Sequence, residues 1–180
     1  MSAQQDRGRI FPELGPMFME PSEITTVEEA ERQAKEFKGG IWRTHHLEVV
    51  AANHPITGTK LPPVFVPPGF AFYFSRAVNN GWTDNRDNGT NPPLSGWWFE
   101  HKGQYIYEAN RAQLVAKTPG DNDKGYVEYF DAYDWSKGYR NYHRNMASKT
   151  WELYWYMNDD LDYYDKNAGA ANIDIVVYRL

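Results

Sequence analysis

Residues Trp42–Asn53 read WRTHHLEVVAAN, and the spacing within this stretch decides the fold class. His45, Leu47, Val49 and Ala51 fall at every second position, with Thr44, His46 and Glu48 between them. A period of two is that of a β-strand, whose successive side chains point to opposite faces. The strand therefore has one apolar face and one polar face, and His45 on the apolar side reads as a hydrogen-bonded core histidine. Further along, PVFVPPGFAFYFSRAV (63–78) gives two strands around a Pro-Pro-Gly corner. GWWFEHKGQYIYEANRAQLVAK (96–117) gives further strand candidates, broken at Lys102-Gly103. TWELYWYMND (150–159) and AANIDIVVYRL (170–180) are the last pair, with Ile173–Tyr178 expected inside a sheet. Short strands separated by turns predict an all-β, antiparallel, jelly-roll-like sandwich.

Upstream of these strands only one segment is helical. In TTVEEAERQAKEFKGG (25–40), Thr26 and Glu29 have capping-box spacing, and Gly39-Gly40 supplies a stop. Val27, Ala30, Ala34 and Phe37 form a narrow apolar stripe that predicts a helix over 27–38, docked on its own domain. Residues 1–21 have no periodicity and read as an extended arm. The expected organisation is an arm plus helix over 1–40 and a β-sandwich binding domain over 41–180.

Composition narrows the function. The 180 residues suffice for one domain with a real core. A net charge of −5 argues against nucleic acid as the main partner. No apolar run reaches the roughly 18 residues of a membrane span, and the first fifteen residues lack the apolar centre of a signal peptide. There is no cysteine, which removes disulfides, zinc–thiolate sites and thiol nucleophiles. Phosphate loops, nucleophile elbows and HExxH motifs are absent, so a non-enzymatic role is expected, with a glycan-active hydrolase using carboxylates paired in space as the alternative. The aromatic share of 16% reads as a large core, with Trp and Tyr also suited to interfaces and to sugar faces.

The segment before the last strand, MNDDLDYYDKN (157–167), holds four aspartates and two asparagines. Such residues make turns through local hydrogen bonds. They are also the oxygen donors that calcium prefers. Two polar loops, 79–96 and 118–125, fail the EF-hand spacing. Asn88-Gly89-Thr90 fits a glycosylation acceptor. Within 126–150, Tyr and Arg interleave around Lys137 to Arg144; such a stretch can stack on single-stranded nucleic acid, but beside Asp131 and Asp134 it reads as a packed long loop.

NDDLDYYDKNAGAANIDIVV (158–177) resembles the closing segment of the small bacterial calcium-dependent galactose-binding lectins of the LecA (PA-I galactophilic) type. Asn158-Asp159, Asn167 and Gly169 stand at the places that match that family's motif. LEVVAANHPITG, VPPGFAFYFSRAVNNGW and AQLVAK are similar, in order, to its first strand and turn, its second strand with Gly-Trp, and a middle strand. Together these pieces cover a little under half the chain. The resemblance implies a galactose-binding-domain-like sandwich with calcium held by the side chains of Asp159 and Asn167 and the carbonyls of Tyr163 and Asn85. A sugar would then bind the open side of the ion. Lys166 stands where the family has another ligating asparagine, and an ammonium has no lone pair to offer. Either Lys166 turns outward, with Asp162, Asp165 or Asp84 completing the shell, or its own cation takes the place of calcium. The family's sugar clamp is missing, so galactose specificity does not carry over. The implied ligand-binding residues are Trp82, Asp159, Lys166 and Asn167, where loop 79–96 meets loop 158–169. Trp82 either stacks on a sugar or caps the core. The implied partner is carbohydrate. A second reading makes the chain a homo-oligomeric or larger-assembly component, such as part of a virion or surface complex, docking on other protein subunits.

Overall fold

The computed structural model describes residues 23–85, 92–94, 96–97, 109–117, 127–129 and 143–180. It opens with helix α1 (Val27–Glu36), followed by β1 (Gly40–Val50), β2 (Val64–Val66), β3 (Phe70–Thr83) and β4 (Leu114–Lys117). Then come β5 (Val127–Tyr129), β6 (His143–Arg144), β7 (Trp151–Met157), a 3-10 helix (Leu161–Lys166) and β8 (Ala168–Arg179). Two four-stranded sheets form, ordered β1-β8-β3-β6 and β2-β7-β4-β5, and their pairings are antiparallel. The fold is thus the all-β, sandwich-like architecture expected from the period-two patterning, with one α-helix among the described residues. The expected arm, the Asn88 acceptor, the strand candidates of 98–108, the 118–125 loop and most of 126–150 lie outside the described residues. No helix among the described residues is long and apolar enough to cross a membrane.

The last strand occupies the middle of its sheet, bonded to β1 on one side and to β3 on the other. Its odd positions Ala171, Ile173, Ile175 and Val177 are fully buried. They meet Phe70, Phe72 and Phe74 of β3 and Leu153, Trp155 and Met157 of β7 in one cluster. Phe72 and Phe74 both approach Trp155 edge-on, at 6.3 and 5.5 Å between centroids. Tilted rings of this kind pair a ring edge with a ring face. Tyr156, Val115 and Ala109 form a second, smaller cluster.

Helix α1 starts as its sequence requires. The Thr26 hydroxyl accepts from the Glu29 amide at 3.2 Å. The helix ends at Glu36, two residues sooner than its stripe predicts, because Phe37 turns to extended backbone. Gly39 and Gly40 come next, with left-handed φ of 144° and 88°. Ala30 and Ala34 are buried, and Ala34 belongs to the main cluster. Phe37 packs on Phe70, the Arg179 guanidinium donates to the Phe37 carbonyl, and Arg43 Nη2 donates to Gln33 Oε1 at 2.6 Å. The helix is therefore docked on the strands C-terminal to it.

In β1 the alternation is as read, with Leu47 and Val49 inward and Thr44, His46 and Glu48 exposed. His45 also faces in, yet its Nε2 is buried without a hydrogen-bond partner, which corrects the expectation of a bonded core histidine. Burial, with Arg43 and His46 nearby, pushes its pKa down to about 4. The sign follows from this depression. Between about pH 6.5 and 4 the unfolded chain takes up a proton that the folded chain refuses, so stability falls as pH falls through that window. The loss attributable to His45 is about 2–3 kcal/mol at 1.36 kcal/mol per pKa unit. Denaturant titrations at pH 7.5 and 4.5 should show this fall in the native protein and a much smaller one in His45→Leu.

Two glycines fix how β3 and β8 meet at one end of the sheet. β3 carries irregularities at Phe74/Arg76 and Asn80/Gly81. Gly81 and Gly169 have φ of 70° and 74°. A Cβ on Gly169 would collide with the backbone carbonyl of Gly81 and the amide of Trp82, whereas a Cβ on Gly81 meets only Gly169 Cα, at 3.9 Å. Gly81→Ala should cost about 1 kcal/mol, the strain of a left-handed alanine. Gly169→Ala adds a backbone clash and should cost about 3 kcal/mol or more. Equilibrium unfolding of the two variants measures the difference.

Candidate functional site

At this end of the sandwich the chain after β3 and the segment between β7 and β8 come together. Thr83 pairs with Ala168 across the sheet. Asn85 takes a left-handed φ of 55°, which asparagine tolerates. Its amide Nδ2 donates to the Lys166 carbonyl at 2.5 Å, and its backbone N–H donates to Thr83 Oγ1 at 3.0 Å. The loop after β1 clamps the same segment from another side. His54 Nδ1 accepts from the amides of Ile56 and Thr57, so Nε2 carries the proton and donates to the Leu161 carbonyl at 3.1 Å. The His54 ring also meets Tyr164 edge-on at 5.1 Å. Sequence reasoning passed over His54, although an Asn-His-Pro turn between strands is a visible signal.

Tyr164 supports the segment from below. It is buried, its hydroxyl donates to the Met157 carbonyl at 2.5 Å, and the Asp159 amide donates to that hydroxyl at 3.3 Å. Asp159 is fully buried, and its Oδ1 accepts the Asp160 amide at 2.8 Å. Asn167 is 5% exposed, and its Nδ2 donates to the Ala51 carbonyl at 3.3 Å. Its Oδ1 is buried with no hydrogen-bond partner among the described residues. Asn158 has a purely architectural task. Its Nδ2 donates to the carbonyls of Ala109 and Asn110, and its backbone pairs with Ala112 and Gln113.

The remaining residues singled out from sequence are placed differently from one another. Lys166 turns outward, with Nζ 4.7 Å from the centre of the Tyr163 ring, a cation–π contact on the surface. Tyr163 is 39% exposed, and Asp162 and Asp165 are exposed. Asp84 is buried, with Oδ2 2.7 Å from Arg111 Nε. Of the three carboxylates offered to complete a metal shell, Asp84 is thus the one already faced by a cation, a guanidinium of the same chain. Of the two places open to Trp82, the structure shows the one in the core. It is fully buried, and its indole N–H donates to the Ala112 carbonyl at 2.7 Å, so it caps the core beneath the loop.

Arg111 has no local motif to announce it, since its partner Asp84 lies 27 positions away, just after β3. Among the described residues no three His, Cys, Asp or Glu side chains gather closely enough to hold a metal. An ion bound at this end would draw on Asp159, the Asn167 amide oxygen and backbone carbonyls. That all-oxygen donor set suits calcium rather than zinc or copper. The orphaned Asn167 Oδ1 fits such an ion, and the outward turn of Lys166 removes the charge that would oppose it. No protein-family model matches the chain, and a search of characterised proteins returned no match.

The Asp84–Arg111 pair generates a clear expectation. Asp84→Ala removes the carboxylate that faces a buried guanidinium and should cost about 3–5 kcal/mol, whereas the double replacement Asp84→Leu with Arg111→Met should recover most of that loss. Thermal and denaturant unfolding of the single and double variants checks it.

Proposed function

We propose that this chain is a non-enzymatic binding module that recognises carbohydrate at the end of the sandwich where residues 83–85 meet residues 158–168, with calcium as the bridging ion. The observation that carries the reading is the buried, unpartnered Oδ1 of Asn167, held beside a loop clamped by Asn85, His54 and Tyr164. A buried acceptor without a donor costs free energy, and an ion is one partner that removes the cost. The resemblance of 158–177 to the calcium-dependent lectins points to the same residues. Asp159 and Asn167 would hold the ion through side-chain oxygens, and Asn85 and Tyr163 through carbonyls. When bound, calcium supplies open coordination positions that vicinal hydroxyls can fill.

Around these residues, exposed Tyr163, Asp162, Asp165 and Lys166 offer an aromatic face, acceptors and a donor to a sugar ring. Selectivity belongs to them, because Trp82 is sealed in the core.

Calcium at one hundred times its Kd should stabilise the fold by about 2.7 kcal/mol. That is a rise in Tm of roughly 5–10 °C for a domain of this size. Asn167→Ala and Asp159→Asn should abolish the rise. A glycan array read with calcium and again with a chelator should show binding only in the first condition. Absence of both the thermal shift and array binding sinks the proposal.

A further inference from the structure

The two sheets have edges of very different kinds. β2, β5 and β6 are three, three and two residues long. Short edges offer little to a foreign strand. β1 is eleven residues long, and among the described residues no strand pairs with its outer side. It carries one irregularity, at Ile41/Arg43, before the straight run Thr44–Val50. That run contains no proline and no lysine, the residues that usually blunt an edge. Its inward residues His45 and Leu47 are only half buried, so the sandwich is incompletely closed along this side.

The run is also complementary to itself. If a second β1 lies antiparallel to the first with Leu47 opposite Leu47, each His46 faces the other copy's Glu48 and each Thr44 faces Val50. His45 faces Val49 on the core side. His46 and Glu48 are both exposed, and the His46 ring already bonds Asp174 of β8 through Nδ1 at 2.8 Å. The pairing brackets each imidazole between carboxylates, twice per pair of copies. Hydrogen-bonding partners directly across a strand pair are favourable, and like charges are not.

We propose that β1 is a self-association edge, with Thr44–Val50 pairing antiparallel to the same strand of a second copy in the register centred on Leu47. The two four-stranded sheets then join into one. The occupant is a second copy because the side-chain pattern of the edge answers itself. His46 and Glu48 lie outside the proposed sugar site, so self-pairing and sugar binding stand or fall separately.

The test uses the full chain. Sedimentation and light scattering over about 1–100 μM should show a monomer–dimer equilibrium, and Glu48→Lys should raise the dimer Kd at least tenfold. The chain has no cysteine, so engineered thiols report without background. An equal mixture of His46→Cys and Glu48→Cys proteins should form mixed disulfides at least tenfold faster than either alone, because position 46 faces position 48 in this register. A monomer at every concentration overturns the proposal. So does a dimer that ignores Glu48→Lys and gives no preferential cross-link.

Discussion

The contact between the Gly81 and Gly169 backbones is the constraint on which the candidate binding end of the molecule depends. β3 and β8 share the longest pairing in the fold, and near its end the two chains approach so closely that a single Cβ on Gly169 cannot be placed. Because the backbones touch there, the residues just after Gly81 and those just before Gly169 must sit side by side. The indole of Trp82 drops into the core directly after the crossing, and its N–H fastens the Ala112 carbonyl, two residues before β4 of the other sheet. Asp84 comes next and meets Arg111. Asn85 then reaches across to the Lys166 carbonyl. One steric coincidence thus orders a core cap, a buried ion pair and a surface clamp within five residues.

The paired charges show how the chain manages a buried acidic end. Asp84, Asp159 and Asp160 are all nearly inaccessible, and desolvated carboxylates need compensation. For Asp84 that compensation is Arg111, a planar, weakly hydrated cation suited to burial. Lys166, nearer in sequence to the acidic cluster, lies over the Tyr163 face instead. A strongly hydrated ammonium loses more than a guanidinium on burial, so this division of labour is the more stable one. For Asp159 the structure shows the Asp160 amide donating to Oδ1.

What could be read from sequence was whatever rests on local periodicity. Alternation located β1, β3, β7 and β8, because each has a core face and a second face of different character. The capping box located the start of α1 to the residue. Its end was misplaced by two positions because the apolar stripe continues through Phe37, whose ring still packs although its backbone has left the helix. Contacts made only in space were not readable. Arg111 finds Asp84 across 27 positions, and His54 finds Leu161 across 107. Trp82 illustrates the intermediate case. Its place beside the loop was legible, but whether its ring points to solvent or to the core depends on Ala112, which no local pattern supplies. His45 lay on the inward face as its spacing requires, yet nothing in the sequence says that its Nε2 lacks a partner.

The candidate binding end and the β1 edge are related through the direction of one strand. β1 runs toward the clamped loops, since the Ala51 amide just beyond it donates to the Gly169 carbonyl at 3.0 Å. Each copy therefore carries its binding end at the C-terminal end of β1. In an antiparallel self-pairing centred on Leu47, the two Val50 residues lie six positions apart along the ladder, roughly 20 Å at 3.3–3.4 Å per residue. The two binding ends then face opposite ways along the strand axis. Two sites displayed toward one surface raise avidity for it, because the second binding step becomes intramolecular. Two sites facing apart cannot both reach one flat surface. They bridge two. A self-paired form of this chain, if it binds glycans at both ends, is by its geometry a cross-linker of separate surfaces, and its expected behaviour is agglutination rather than tighter attachment to a single surface.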